Sequence, residues 1–102
     1  MKMRDVKIGQ RVRLKAEQSL YYGRDYAGNP FAFATAGAVG VVGAVDVPPV
    51  TGNRANFCCI DVPADQCRFD TARRFLRPFE QSAIENSKVW RCGVRAKDFE
   101  LV

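Results

Sequence analysis

The sequence predicts a mostly β domain: a small barrel of about five strands, with a long aromatic loop and a short helical insertion. Three observations predict it. The two ends of the chain, VKIGQRVRLKA and KVWRCGVRAKDFELV, alternate apolar and polar residues with the period of a half-buried strand. Between them lie β-branched runs punctuated by Gly, Asn and Pro, which are turn formers. The chain has 102 residues, enough to bury one core and no second one, so residues 1–102 are expected to form a single domain.

The first strand carries Val6, Ile8, Val12, Leu14 and Ala16 on one face and Lys7, Arg11, Arg13 and Lys15 on the other. Gly9-Gln10 marks a turn or bulge near its start. The next stretch, EQSLYYGRDYAGNPFAFAT, holds Gly23, Gly28, Asn29 and Pro30 and reads as a long loop or irregular hairpin. It also holds Tyr21, Tyr22, Tyr26, Phe31 and Phe33, too many rings for a disordered linker. Two arrangements are open: the rings fold back as a lid on the core, or they stand out as a platform for bases or a partner protein.

The segment FAFATAGAVGVVGAVDVPPVTG places Gly37, Gly40 and Gly43 at every third position. This is no dinucleotide fingerprint, whose G-x-G-x-x-G opens a helix; nor is it a Walker loop, which needs Gly-Lys-Ser/Thr. Three glycines inside a helix would cost about 3 kcal/mol relative to alanine. The spacing instead predicts a turn at Thr35, Ala36 and Gly37, then a strand from about Val39 to Val47, stopped by Pro48-Pro49. TGN is the next turn, and ANFCCIDVP the next strand, apolar on both sides. Adjacent residues of a strand point to opposite faces, so at most one of Cys58 and Cys59 is expected in the core and the other exposed and oxidisable. In the segment 64–88, Ala72, Phe75, Leu76 and Phe79 recur at helical spacing after a possible Asp70 cap, with Pro78 breaking or kinking the helix. The last strand turns Trp90, Cys92, Val94 and Ala96 inward and Arg91, Arg95 and Lys97 outward. Its phase slips at Lys97-Asp98, where Phe99 and Leu101 become the apolar pair.

The net charge is +5, from 16 Lys+Arg against 11 Asp+Glu, which favours nucleic acid, an acidic protein face or anionic lipid. The N-terminus shows no apolar signal region, and the longest apolar run, 31–45, is too short to span a bilayer, so a soluble cytoplasmic protein with no membrane partner is expected. No histidine is present, and Asp61 and Asp65 stand at a turn where carboxylates are solvated, so the chain does not read as an enzyme. Cys58, Cys59, Cys67 and Cys92 form no C-x-x-C pair; they are expected to be reduced and to bind no metal. No cofactor and no small-molecule substrate are expected.

KIGQRVRL followed by TAGAVGVVGAV resembles the paired elements of SH3-like barrels of the KOW type, in which a glycine-led first strand is followed by a G-x-x-G-x-V turn into the second. VRAKDFELV is similar to the tail of such barrels, where a short helical turn leads into the last strand. Segments 15–36 and 64–88 depart from a plain KOW unit. The resemblance implies that the first and last strands lie close together. Arg11, Arg13 and Lys15 would then share an outer face with Arg91, Arg95 and Lys97, and Arg73, Arg74 and Arg77 would form a second patch. The expected function is a small non-catalytic module that contacts nucleic acid or a nucleoprotein through this Arg/Lys face. The alternative is a docking or inhibitor module of phage or plasmid type, which binds an acidic protein surface through Tyr21, Tyr22, Tyr26 and Phe31.

Overall fold

The structure, a computed structural model, describes residues 6–45, 57–70 and 76–102. It is mostly β. The strands are β1 (Arg11–Leu14), β2 (Gln18–Ser19), β3 (Ala32–Ala34), β4 (Val39–Val45), β5 (Phe57–Pro63), β6 (Cys67–Phe69), β7 (Val89–Arg95) and β8 (Phe99–Leu101), with one helix, α1 (Pro78–Asn86), between β6 and β7. Five strands form an antiparallel sheet in the order β7-β5-β4-β1-β8, and β2-β3-β6 form a second, three-stranded sheet.

In β1 the alternation holds: Val12 and Leu14 are buried, Arg11 and Arg13 exposed. Before it, a turn closes from Lys7 to Gln10, with the Gln10 N–H on the Lys7 carbonyl at 3.2 Å and Gly9 at φ +94°. That turn lifts Ile8 out of the alternation and leaves it exposed; Ala16, past the strand end, is exposed as well. Both were expected on the inner face, but the turn and the short strand cut the pattern at each end.

The long aromatic segment is an irregular hairpin. β2 and β3 are its legs, and β3 continues the sheet through β6. The turn at Thr35, Ala36 and Gly37 forms as predicted: the Ala38 N–H donates to the Thr35 carbonyl at 3.0 Å, and Gly37 takes φ +87°. β4 follows, with a register shift between Val42 and Ala44. Its predicted end at Val47 and Pro48-Pro49, and the TGN turn, lie outside the described residues.

Both Cys58 and Cys59 are buried, against the expectation that one would face solvent. Cys58 points into the core. Cys59 points outward but is covered by the hairpin: the Tyr21 N–H donates to the Arg91 carbonyl at 2.8 Å, which brings the Tyr21 phenol onto the Cys59 thiol.

The helix begins at Pro78 and is not broken by it. Proline at the first helical position has a preset φ and lacks an N–H that would be unpaired there anyway. Of the four residues read as its apolar stripe, Ala72 and Phe75 lie outside the described residues, Leu76 precedes the helix, and Phe79 is exposed.

β7 carries Trp90, Cys92 and Val94 inward. The phase slip falls where the sequence placed it, in a single 3-10 turn at Ala96–Asp98 that delivers Phe99 to the core, but Leu101, read as its apolar partner, is half-exposed at the end of the chain's last strand. The inner faces of both sheets share one apolar cluster, with Val12, Leu14, Phe31, Ile60, Trp90 and Phe99 among its members. Trp90 packs on Phe69 of β6 at a centroid distance of 5.3 Å, which ties the two sheets together. Among the described residues no helix is long and apolar enough to cross a membrane.

Candidate functional site

The outer face of the five-stranded sheet holds four of the sequence-predicted cations, Arg11, Arg13, Arg91 and Arg95. The register places Arg11, Val41, Asp61 and Arg91 in one row across β1, β4, β5 and β7, with Glu100, Arg13 and Val39 in the next. The strand beside β1 is β8 and not β7. Arg11 and Arg91 are therefore three strand spacings apart, about 14 Å. Of the six cations, Arg11, Arg13, Arg91 and Arg95 share the outer sheet face, Lys15 follows the end of β1 and Lys97 lies in the Ala96–Asp98 turn; the arginines of β1 and β7 do not stand side by side across neighbouring strands.

Arg91 is committed locally. Its Nε donates to Asp61 Oδ1 at 2.7 Å and its Nη2 to Asp61 Oδ2 at 3.2 Å, a bidentate pair that holds the guanidinium pKa above its ordinary value. The pair rests on the bare Cα of Gly43, where an added Cβ would come within 2.7 Å of Arg91 Nη2.

The β1 margin differs. Arg11, Arg13 and Lys15 follow at alternate positions, about 6.7 Å apart along the strand. The Lys15 N–H donates to the Asp98 carbonyl at 2.7 Å, which seats Lys15 against the Ala96–Asp98 turn that bears Lys97. Arg95 ends β7 two residues earlier. Two carboxylates, Asp98 and Glu100, belong to this margin, and the ion pair of Arg13 is loose: Nη1 to Glu100 Oε1 at 3.8 Å, both side chains half-exposed. Arg11, Lys15 and Lys97 make no ion pair with a described residue.

Between the two margins runs an apolar strip that sequence reasoning missed. Val41 is 41% exposed and Val89 58%. With Val39 and Pro63 they line an open depression of about 410 Å³, edged by Arg11, Asp61 and Asp65. The available signal was apolar residues at the outward parity of β4 and β7, in VGVV and KVW.

The hairpin rings divide. Phe31 is fully buried at the entry to β3, with its N–H on the Gly23 carbonyl at 2.7 Å; it belongs to the core and not to an interface loop. Tyr21 is 39% exposed, Tyr26 75% and Tyr22 93%. Burial and the neighbouring Cys59 push the Tyr21 phenol pKa up. The tip is organised by Asp25, which is buried and whose Oδ1 accepts the N–H groups of Ala27 at 3.0 Å and Asn29 at 2.9 Å. Arg24 Nη1 donates to the Gly28 carbonyl at 2.9 Å.

Of the second basic patch, Arg73 and Arg74 lie outside the described residues. Arg77 donates to the buried Glu80 and lies over the Phe79 ring at 4.6 Å. The four thiols are free. Burial raises the pKa of Cys58 and Cys67 to about 11 and that of Cys92 to about 12, so these three are neutral thiols at pH 7. Among the described residues no three metal-ligating side chains converge. Compared with known families, curated proteins and solved structures, the chain matches none.

Proposed function

We propose that this chain is an SH3-like binding module of the cytoplasm, without catalytic function, which contacts nucleic acid or a nucleoprotein through the cationic margin of β1. Support for the barrel reading comes from the order β8-β1-β4-β5-β7, with the last strand beside the first and a short 3-10 turn leading into it. Support for the compartment comes from four unpaired thiols. The observation that carries the function is the accumulation of Arg11, Arg13, Lys15 and Lys97 on one margin with a single loose acid contact. Their mutual repulsion is relieved by an anionic partner, and arginine's planar fork suits phosphate oxygens.

The test compares Arg11→Glu/Lys15→Glu with Arg91→Glu, each checked for an unchanged fold. Binding to duplex DNA, single-stranded DNA and RNA is measured across salt. Neutralising about four phosphates gives a slope near −3 to −4 in log K against log salt. The β1 double variant should lose most affinity, and Arg91→Glu much less. Absence of wild-type binding at low salt refutes the reading.

One observation favours a second reading. The depression lined by Val39, Val41, Pro63 and Val89 has an apolar floor and a polar edge of Arg11, Asp61 and Asp65, an apolar centre with a polar rim as in a protein interface. On that reading a protein segment docks its apolar side chains on the sheet face. Val41→Asp with Val89→Asp would abolish such docking and leave nucleic-acid binding in place.

A further inference from the structure

The proposal that follows concerns the hairpin tip and rests on the nucleic-acid reading above. Three observations meet there. The first is strain: Tyr22 is the only described non-glycine residue with positive φ, at +60°. It occupies the third position of a turn closed by the Gly23 N–H on the Leu20 carbonyl at 3.1 Å, a place that favours glycine. A bulky side chain in this conformation is an outlier, and such outliers persist where the surroundings enforce them and gather at ligand-binding positions. At 93% exposure the ring makes no core contact that would offset the strain.

The second observation is rigidity. Asp25 ties the tip by accepting from Ala27 and Asn29, while its own N–H donates to the Asn29 carbonyl at 2.9 Å. Arg24 is clasped to Gly28, and Arg24 and Pro30 form a bridge across the loop. Tyr22 and Tyr26 therefore project from a fixed frame, which lowers the ordering cost of binding.

The third is chemistry. The one carboxylate of the tip, Asp25, is buried and turned to the loop's own amides, so what faces solvent is two phenol rings and a guanidinium. Exposed rings beside a cation, with no accessible acid, suit a ligand that offers both π faces and phosphates. Single-stranded nucleic acid has both; a duplex keeps its base faces stacked inside.

We propose that Tyr22 and Tyr26 are stacking platforms for unpaired bases and that Arg24 meets the adjoining phosphate, so that the module prefers single strands over duplex.

The experiment uses the full chain, a labelled oligothymidylate, an oligouridylate and a duplex of matched length, with affinity read by fluorescence anisotropy at low and moderate salt. The variants are Tyr22→Gly, Tyr26→Ala and their Phe counterparts. Tyr22→Gly suits the left-handed backbone, so its thermal midpoint should not fall, and a binding loss cannot be ascribed to misfolding. Each ring deletion should weaken single-strand binding about tenfold and leave duplex binding unchanged, and Phe should restore it. If the wild type binds duplex and single strands alike and the ring deletions change neither, the tip proposal falls while the β1 reading stands. Equal losses on duplex and single strand also overturn stacking. If the wild type binds no nucleic acid, both readings fall.

Discussion

Replacing Gly40 by alanine tests the β4–β5 packing at its tightest point. A Cβ built there would lie 2.6 Å from the Asp61 carbonyl oxygen, 2.8 Å from Ile60 Cγ2 and 3.1 Å from Val62 Cγ2. The first contact is backbone, so no side-chain rotation removes it; the two central strands have to part by several tenths of an ångström. Overpacking of this kind costs about 1–3 kcal/mol. The reduced freedom of the unfolded chain returns about 0.4–1 kcal/mol, which leaves a net loss of roughly 1–2 kcal/mol. At about 4–8 °C per kcal/mol for a domain of this size, the midpoint should fall by roughly 5–15 °C. Gly37→Ala is the control. Nothing lies within 4 Å of its Cβ position, so its cost is the left-handed backbone alone, about 1 kcal/mol. At Gly43 the obstructing atoms are the ends of Arg91 and Asp61, which can swing aside, so alanine there should cost least and should loosen that ion pair. Urea unfolding followed by the fluorescence of Trp90, the single tryptophan, measures all three. If Gly40→Ala matches the wild type, or Gly37→Ala costs more, the close approach of β4 to β5 is wrong.

Trp90→Ala should cost about 3–5 kcal/mol, because the ring is buried and joins the sheets through Phe69. Trp90→Phe should cost far less, since it also removes a buried indole N–H that has no partner; circular dichroism reads both, as the fluorophore is gone. At neutral pH a thiol reagent should modify native protein slowly and at Cys67 alone, the one half-exposed cysteine, and all four after unfolding; prompt reaction at Cys59 would show that Tyr21 does not cover it. Stability should also fall in alkali. Cys58, Cys67 and Cys92 have folded pKa values of about 11, 11 and 12, all above the ordinary thiol value of 9.0. The folded state thus holds its protons where the unfolded chain loses them. The stabilisation is complete below about pH 8.5 and disappears as pH rises through 11–12. Urea midpoints from pH 7 to high pH should show this, and Cys92→Ala should flatten the decline.

The parts of this fold that could be read from sequence are those whose cause is local. β1 and β7 alternate because each has one buried face, and the turns at Gly9 and Gly37 need the left-handed backbone that glycine supplies. The slip before Phe99 was visible because a one-residue change of phase reverses every side chain after it. What failed depended on partners distant in the chain. Phe31 and Tyr22 are both loop aromatics by sequence; only the pairing of β3 with β6 puts one in the core and leaves the other in solvent. Cys59 has the parity of an exposed residue and is buried by a hairpin some forty positions earlier in the chain. Pro78 carries two opposite meanings, helix breaker or helix starter, and the residues after it decide between them. For the candidate site, strand parity correctly turned Arg11, Arg13, Arg91 and Arg95 outward. Adjacency needed strand order, and the strand beside β1 is the one after the phase slip.

The excess of cations says little about a partner until the carboxylates are assigned. Asp61 is held by Arg91, Glu17 by Arg68, and Glu80 by Arg77, while Asp25 is occupied by the amides of its own loop. Each of these acids answers a local need: bridging β5 to β7, bracing the short sheet, anchoring the helix start, closing the hairpin. Among the described residues, Lys7, Arg11, Lys15, Arg24, Lys88 and Lys97 are left without an ion pair to another described residue. Arg11, Lys15 and Lys97 lie along β1 and the turn it touches, and Arg24 stands at the hairpin that grows from the end of the same strand. Arg91 on β7 is neutralised by a bidentate pair, whereas the cations along β1 have only the loose Arg13–Glu100 contact. That asymmetry, more than the net charge of +5, is what makes the β1 margin the place to look for an anionic partner.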